Sequence, residues 1–138
     1  MEALASAPNM VRRTKEALAA GEESIIPELV GGDWDKIDTK VLATAARQGD
    51  KLAKKIWKKT GEYLGIGIGN LINVLSPDMI VLGGGVSHAG DLLLEPIRET
   101  LRERAMQANP AKIVLAELGN DAGVLGAVAL VMQNLNLA

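Results

Sequence analysis

Up to Leu75 the apolar residues of the chain recur at intervals of three and four; beyond Ser76-Pro77 they close up into short unbroken runs. The first pattern predicts helices and the second buried strands. Leu4, Val11 and Leu18 mark a helix over Glu2 to Ala20, broken near Pro8 and stopped by Gly21. Gly21 to Ile37 reads as connection. Asp38 and Thr39 suit the N-cap of a short helix through Arg47, "QGD" resets the chain, and Asp50 caps a longer helix to about Leu75. In that helix Lys51, Lys54, Lys55, Lys58 and Lys59 form a basic stripe opposite Leu52, Ile56, Tyr63 and Leu64. A solvated face accounts for the stripe better than a grip on phosphate does.

The glycines of "YLGIGIGNLINVL" look superficially like a dinucleotide-binding loop, but such a loop follows a strand and opens a helix, and these lie inside a helical pattern. Gly61, Gly65 and Gly69 are four apart and share one side of the helix. Each costs about 1 kcal/mol relative to alanine, which close approach of a second helix offsets.

After Pro77, "DMIVLGGGV" reads as a buried strand ending in glycines, Leu92 to Met106 as a helix with Pro96 in its first regular turn, and "KIVLAEL" (112–118) as a second buried strand. A last helix starts near Asp121 and carries Val124, Leu125, Val128, Leu130, Val131 and Leu135. Strand, helix, strand, helix implies parallel pairing through a right-handed crossover. The fold class is therefore α/β, helix-rich with two recognisable parallel strands: residues 1–75 mainly helical and 76–138 a βαβα segment. Both strands read as buried on both faces, and two strands are too few to complete a sheet. Another chain completes it, or the sequence is part of a larger protein.

Composition narrows the possible functions. A chain of 138 residues is the size of one domain; 48% of it is hydrophobic, with no Phe, two Trp and one Tyr, so aliphatic and small side chains fill the core. The net charge of −2 gives no field for nucleic acid or an anionic membrane. No cysteine is present, which excludes disulfides, thiolate catalysis and cysteine-ligated zinc within these residues. Charges at Glu2, Arg12, Arg13, Lys15 and Glu16 rule out a cleavable signal, and the apolar run Tyr63 to Ile72 falls short of the roughly 20 residues of a membrane span. A soluble, cytoplasmic protein is expected.

The unusual feature is "VLGGGVS", residues 81–87. In open parallel sheets ligands bind beyond the carboxyl ends of the strands, where Gly83, Gly84 and Gly85 fall. Without side chains, backbone N–H groups can receive phosphate oxygens or hold a nucleoside. A tight turn with one positive φ is the alternative; three glycines together favour ligand approach.

The stretch "TGEYLGIGIGNLINVLSPDMIVLGGGVSHAGDLLLEPIRETL" closely resembles the nucleotide-binding lobe of ROK-family sugar kinases, a group of bacterial glucokinases, related hexose kinases and sugar-responsive repressors. The resemblance covers nearly the whole chain and is most specific over residues 60–131. It implies part of an actin/hexokinase-like (RNase H-like) ATPase lobe, the C-terminal portion of such a kinase. "IVLGGGVS" is similar to the family's adenosine segment, making Gly83, Gly84, Gly85, Val86 and Ser87 the nucleotide-binding residues. "NDAGVLGAVALV" is similar to its last connecting helix, with Gly123 and Gly126.

"MEALASAPNMVRR" resembles the end of the family's zinc motif C-x-C-G-x-x-G-C-x-E together with the helix after it, so Glu2 takes the place of the glutamate that binds sugar hydroxyls. A carboxylate at the start of a helix, favoured by the dipole, explains Glu2 equally well. On this resemblance the zinc ligands are absent from the chain, as are the first phosphate loop and the catalytic aspartate. His88, the single histidine, matches no catalytic position and reads as a surface residue. The implied reaction is transfer of the ATP γ-phosphoryl to the 6-hydroxyl of glucose with Mg²⁺, in a homo-oligomer; the chain alone is expected to be inactive. The alternative is the effector or oligomerisation lobe of a ROK repressor. Nothing in these residues selects among hexoses.

Overall fold

The computed structural model of the chain describes residues 2–104, 111–118 and 121–134. The first helical stretch divides at Ser6 into α1 (Glu2–Ala5) and α2 (Ala7–Ala19). Ser6 is extended, and Pro8 lies in the first turn of α2, where a missing N–H leaves nothing unpaired. The break thus falls ahead of the proline. At the far end Gly21, at φ 88°, closes α2, and the Glu22 N–H reaches the Ala17 carbonyl at 3.0 Å.

The stretch 21–37, expected to be plain connection, holds a single turn, α3 (Ile26–Leu29), and a 3-10 turn at Trp34–Lys36. Both are too short to show a period, but Ile26, Val30 and Ile37 are buried and anchor them to the core. The two predicted caps form. Asp38 accepts from the Val41 N–H at 2.8 Å to start α4 (Thr39–Arg47), and Asp50 accepts from the Ala53 N–H at 2.7 Å to start α5 (Lys51–Leu75). The second oxygen of Asp50 accepts from the Ile25 N–H at 2.9 Å. One buried carboxylate therefore caps a helix and pins the preceding loop.

The five lysines of the stripe are exposed, while Leu52 and Ile56 opposite them are buried. Lys55 pairs with Glu22 at 2.8 Å and Lys59 with Glu62 at 3.0 Å, the latter pair raising the lysine's affinity for its proton. Tyr63 is only half-buried, lying between the cations of Arg13 and Lys59 at 5.5 and 5.1 Å. Arg13 also donates to Thr60 Oγ1 at 2.7 Å, which ties α2 to α5, and burial draws its guanidinium pKa down.

The centre of the fold is the contact of α5 with α6 (Asp91–Arg104). A Cβ on Gly61 would lie 2.6 Å from Pro96 Cγ and 3.1 Å from the Leu93 carbonyl oxygen; one on Gly65 would lie 2.6 Å from Thr100 Cβ and 3.1 Å from the Ile97 oxygen. The two backbones meet through these glycines, flanked by buried Ile68, Ile72, Leu93, Ile97 and Leu101. Pro96 is not in the first turn, as expected from sequence, but sixth in the helix. There its ring fills the space over Gly61, a packing role that accompanies the loss of one helical hydrogen bond.

β1 (Met79–Leu82) and β2 (Lys112–Leu115) pair in parallel, from Met79 opposite Lys112 to Leu82 opposite Leu115. Burial on both faces is not observed. Ile80, Leu82, Ile113 and Leu115 pack on the core, whereas Met79 and Val81 are about half exposed, 49% and 58%. A two-stranded sheet covered by helices on one side leaves the other side of β1 open. α7 (Ala122–Asn134) follows, and every described side chain from Val124 onward is exposed.

Substituting the two inner glycines separates contact from propensity. Gly65→Ala should destabilise the fold by about 2 kcal/mol, since overpacking against Thr100 exceeds the helix-propensity gain. Gly69→Ala meets Leu101 Cδ2 at 3.4 Å and Arg104 Cβ at 3.7 Å, ordinary contacts, and should be neutral or stabilising by up to about 1 kcal/mol. Chemical denaturation of both variants checks the contrast.

Candidate functional site

The polypeptide leaves β1 through Gly83 and Gly84, makes a 3-10 turn at Gly85–Ala89 and enters α6 after Gly90. Ser87 closes this loop: its N–H and its hydroxyl both donate to the Gly84 carbonyl, at 3.0 and 2.7 Å. Ser87 is buried and Val86 half-buried against the core, so both shape the loop from beneath. Gly83, Gly84 and Gly85 are exposed above them.

The three glycines are not equivalent. Gly84 has φ 93° and ψ 171°, a region essentially closed to other residues, so its identity is required by the turn. Gly83 and Gly85 have no such requirement. A Cβ on Gly83 would make ordinary contact with Ala116 Cβ at 3.6 Å, and one on Gly85 would enter open space. The chain's own architecture explains the middle glycine and leaves its neighbours free for something outside the chain.

That open space borders a cleft of about 250 Å³ between the loop and α4. Gly85, His88 and Ala89 form one wall, Lys40, Thr44 and Arg47 the other, and Trp57 of α5 lies at the junction. No carboxylate lines it. Trp57 is 2% exposed, and its Nε1 has no hydrogen-bond partner among the described residues. A wider cleft of about 710 Å³ shares Arg47, Trp57, His88 and Ala89 and runs on past Lys54 and Lys58 toward Asp91 and Glu95. A groove of similar size between α2 and α5 lies away from the loop, and two of its lysines, Lys55 and Lys59, are already paired with Glu22 and Glu62.

A cationic cleft beside backbone free of side chains suits a polyanion attached to a flat ring: N–H groups and Lys40 for phosphate, the Arg47 guanidinium for stacking or phosphate. The residues on α4 were not singled out from sequence. Their signal was present, since Lys40, Thr44 and Arg47 at four and three residues share one helix face opposite buried Leu42, Ala45 and Ala46. His88 is exposed, as expected, and also borders both clefts. Glu2 begins α1, and its side chain lies outside the described residues. Among the described residues, no three His, Cys, Asp or Glu side chains gather in a way that could hold a metal, and no helix is long and apolar enough to cross a membrane.

The sequence model of the ROK family matches residues 1–134, and the chain belongs to that family. It is 39% identical to a glucokinase of Halalkalibacterium halodurans over 99% of this chain and 42% of that protein. The crystal structure of a ROK family glucokinase from Streptomyces griseus, in complex with glucose and AMPPNP, superposes with a TM-score of 0.84 at 34% identity, covering 94% of this chain and 43% of that one. A xylose repressor of Caldicellulosiruptor bescii is 32% identical over 73% of this chain and 26% of the repressor. The chain thus spans less than half the length of these relatives. The helix-rich α/β fold with two parallel strands is that of a ROK glucokinase over the shared part.

The unequal glycines can be tested on stability alone. Gly84→Ala should cost about 1–3 kcal/mol through backbone strain, while Gly85→Ala should leave the unfolding midpoint unchanged. Thermal and urea unfolding of the two variants, without ligand, gives the comparison.

Proposed function

We propose that this chain is the nucleotide-binding lobe of an ATP-dependent sugar kinase of actin/hexokinase-like fold, in which ATP phosphorylates the 6-hydroxyl of glucose. The observation that carries this reading is Gly85, free of any architectural demand and lining a cleft with Lys40 and Arg47 and no carboxylate, with Gly83 exposed on the same loop. Gly83 to Gly85 offer the backbone to the nucleotide, Val86 and Ser87 hold the loop in shape, and the α4 cations neutralise its charge. The likeness to a glucokinase solved with glucose and AMPPNP supports the choice of ligands.

With no three metal-binding side chains gathered among the described residues, Mg²⁺ fits best as a passenger on the nucleotide phosphates, keeping much of its water. The chain has no cysteine and so does not supply the cysteine ligands of the family's zinc motif. Glu2 is the proposed sugar contact, accepting hydrogen bonds from two hydroxyls. As the family resemblance implies, the base that takes the hydroxyl proton is proposed to come from outside these 138 residues, and the chain by itself should not turn over glucose and Mg-ATP. The second reading, the effector lobe of a repressor, has the similarity to the xylose repressor in its favour. It predicts sugar-dependent behaviour without nucleotide binding.

Trp57 provides the assay. In a Trp34→Phe background it is the sole indole, and titration with Mg-ATP should change its emission saturably. Gly85→Val and Arg47→Ala should each weaken binding at least tenfold, about 1.4 kcal/mol, with unfolding unchanged. A folded chain that ignores Mg-ATP would overturn the nucleotide reading and favour the repressor lobe.

A further inference from the structure

The wider cleft of about 710 Å³ is lined by charges of both signs. Arg47, Lys54 and Lys58 border it from α4 and α5, while Asp91, Glu95 and Glu99, four residues apart on one side of α6, border it from that helix. All six are exposed, and among the described residues no ion pair joins the two sets. Exposed charges are satisfied by water, and alone they mark no site. Trp57 differs from them. It borders the same cleft, is 2% exposed, and its Nε1–H is a buried donor without a partner among the described residues. Such a donor is costly to the free chain, and an acceptor brought by a ligand relieves that cost.

The three kinds of group select the ligand. The carboxylates accept, the cations donate, and the indole N–H donates. A triphosphate answers the cations but is repelled by the carboxylates, and an unphosphorylated sugar leaves the cations unanswered. A zwitterion places an ammonium against the carboxylates, and an ammonium has no acceptor for the indole. A phosphorylated polyol meets every demand: its phosphate takes the cations, its hydroxyls donate to the carboxylates, and a hydroxyl oxygen accepts from Trp57.

We propose that this cleft is a second ligand site, for a hexose 6-phosphate, and that its occupant competes with the nucleotide. The site follows from the cleft's own groups; the choice of a hexose 6-phosphate among phosphorylated polyols rests on the kinase reading, in which it is the product. The wider cleft shares Arg47, Trp57 and His88 with the smaller one, so an occupant of either draws the Arg47 guanidinium away from the other. Accumulated product then weakens nucleotide binding. Because Nε1 is covered in the free chain, its acceptor arrives with a shift of neighbouring side chains, and the indole's emission registers both events.

Glucose 6-phosphate is titrated into the chain carrying Trp34→Phe, with Trp57 emission and calorimetry as readouts, beside glucose and inorganic phosphate at the same ionic strength. Saturable 1:1 binding, at least tenfold tighter than either control, is expected. Lys58→Ala and Glu95→Gln, at exposed positions outside the smaller cleft, should each weaken it at least tenfold and leave thermal unfolding and Mg-ATP binding unchanged. Trp57→Phe, which keeps a ring and removes the donor, should weaken it by calorimetry. Added glucose 6-phosphate should raise the Mg-ATP concentration needed for half-saturation. Binding no tighter than that of inorganic phosphate, an adventitious anion only, overturns the inference. So does tight binding that is indifferent to Lys58 and Glu95, or that leaves Mg-ATP affinity unmoved. A chain that binds Mg-ATP and ignores glucose 6-phosphate overturns this site and leaves the nucleotide reading standing; the reverse result upholds the site and counts against the kinase reading.

Discussion

The sheet and the glycine loop of this fold are placed by the approach of two helix backbones at Gly61 and Gly65. No residue with a side chain fits there, because Pro96 and Thr100 already occupy the space where a Cβ would go. α6 is the link between β1 and β2 in sequence, so fixing it against α5 also fixes the sheet and the loop that enters α6. The contact is buried but not purely apolar. Thr60 and Thr100 are buried, and each satisfies its hydroxyl on the carbonyl four residues earlier, at 2.8 and 2.9 Å. Thr14 does the same on Met10 at 2.9 Å, so these three hydroxyls enter the helical core with their donors paired.

Glycine serves two physical ends within a few residues of the site. Gly84 supplies a backbone conformation that the Ser87 hydrogen bonds then lock, and the locked turn presents Gly85 to open space and Gly83 with room for a Cβ against Ala116. The opposite wall comes from α4, about forty residues earlier, held in place by the Asp38 cap and by buried Leu42, Ala45 and Ala46. Rigid elements thus carry a cleft bordered by Gly85 and His88 on one side and by Lys40 and Arg47 on the other. Trp57, packed beneath both walls, is the one buried side chain there with an unanswered donor.

The chain's packing is uneven. α2, α4, α5 and α6 share a contiguous core, whereas α7 and one side of β1 present aliphatic side chains to solvent. Hydrophobic burial is the main favourable term in folding, so α7, apolar throughout its first eleven residues yet exposed, adds little to the stability of the described core.

By itself the sequence determined whatever depends on neighbours within a turn or two. The caps at Asp38 and Asp50 were legible because a short carboxylate and an N–H three residues on are enough to make them. The spacing of Gly61, Gly65 and Gly69 announced a close helix contact, and the run of β-branched residues before three glycines announced a strand and a loop. The family was legible in the same motifs. Tertiary structure decided the rest. It placed Pro96 over Gly61 in mid-helix, exposed Met79 and Val81, and set Tyr63 between two cations. It also brought Lys40 and Arg47 to the glycine loop and separated Gly84, which the turn requires, from Gly83 and Gly85, which it does not. These depend on distances between residues far apart in the chain, and a one-dimensional pattern carries periodicity and local chemistry but not those distances.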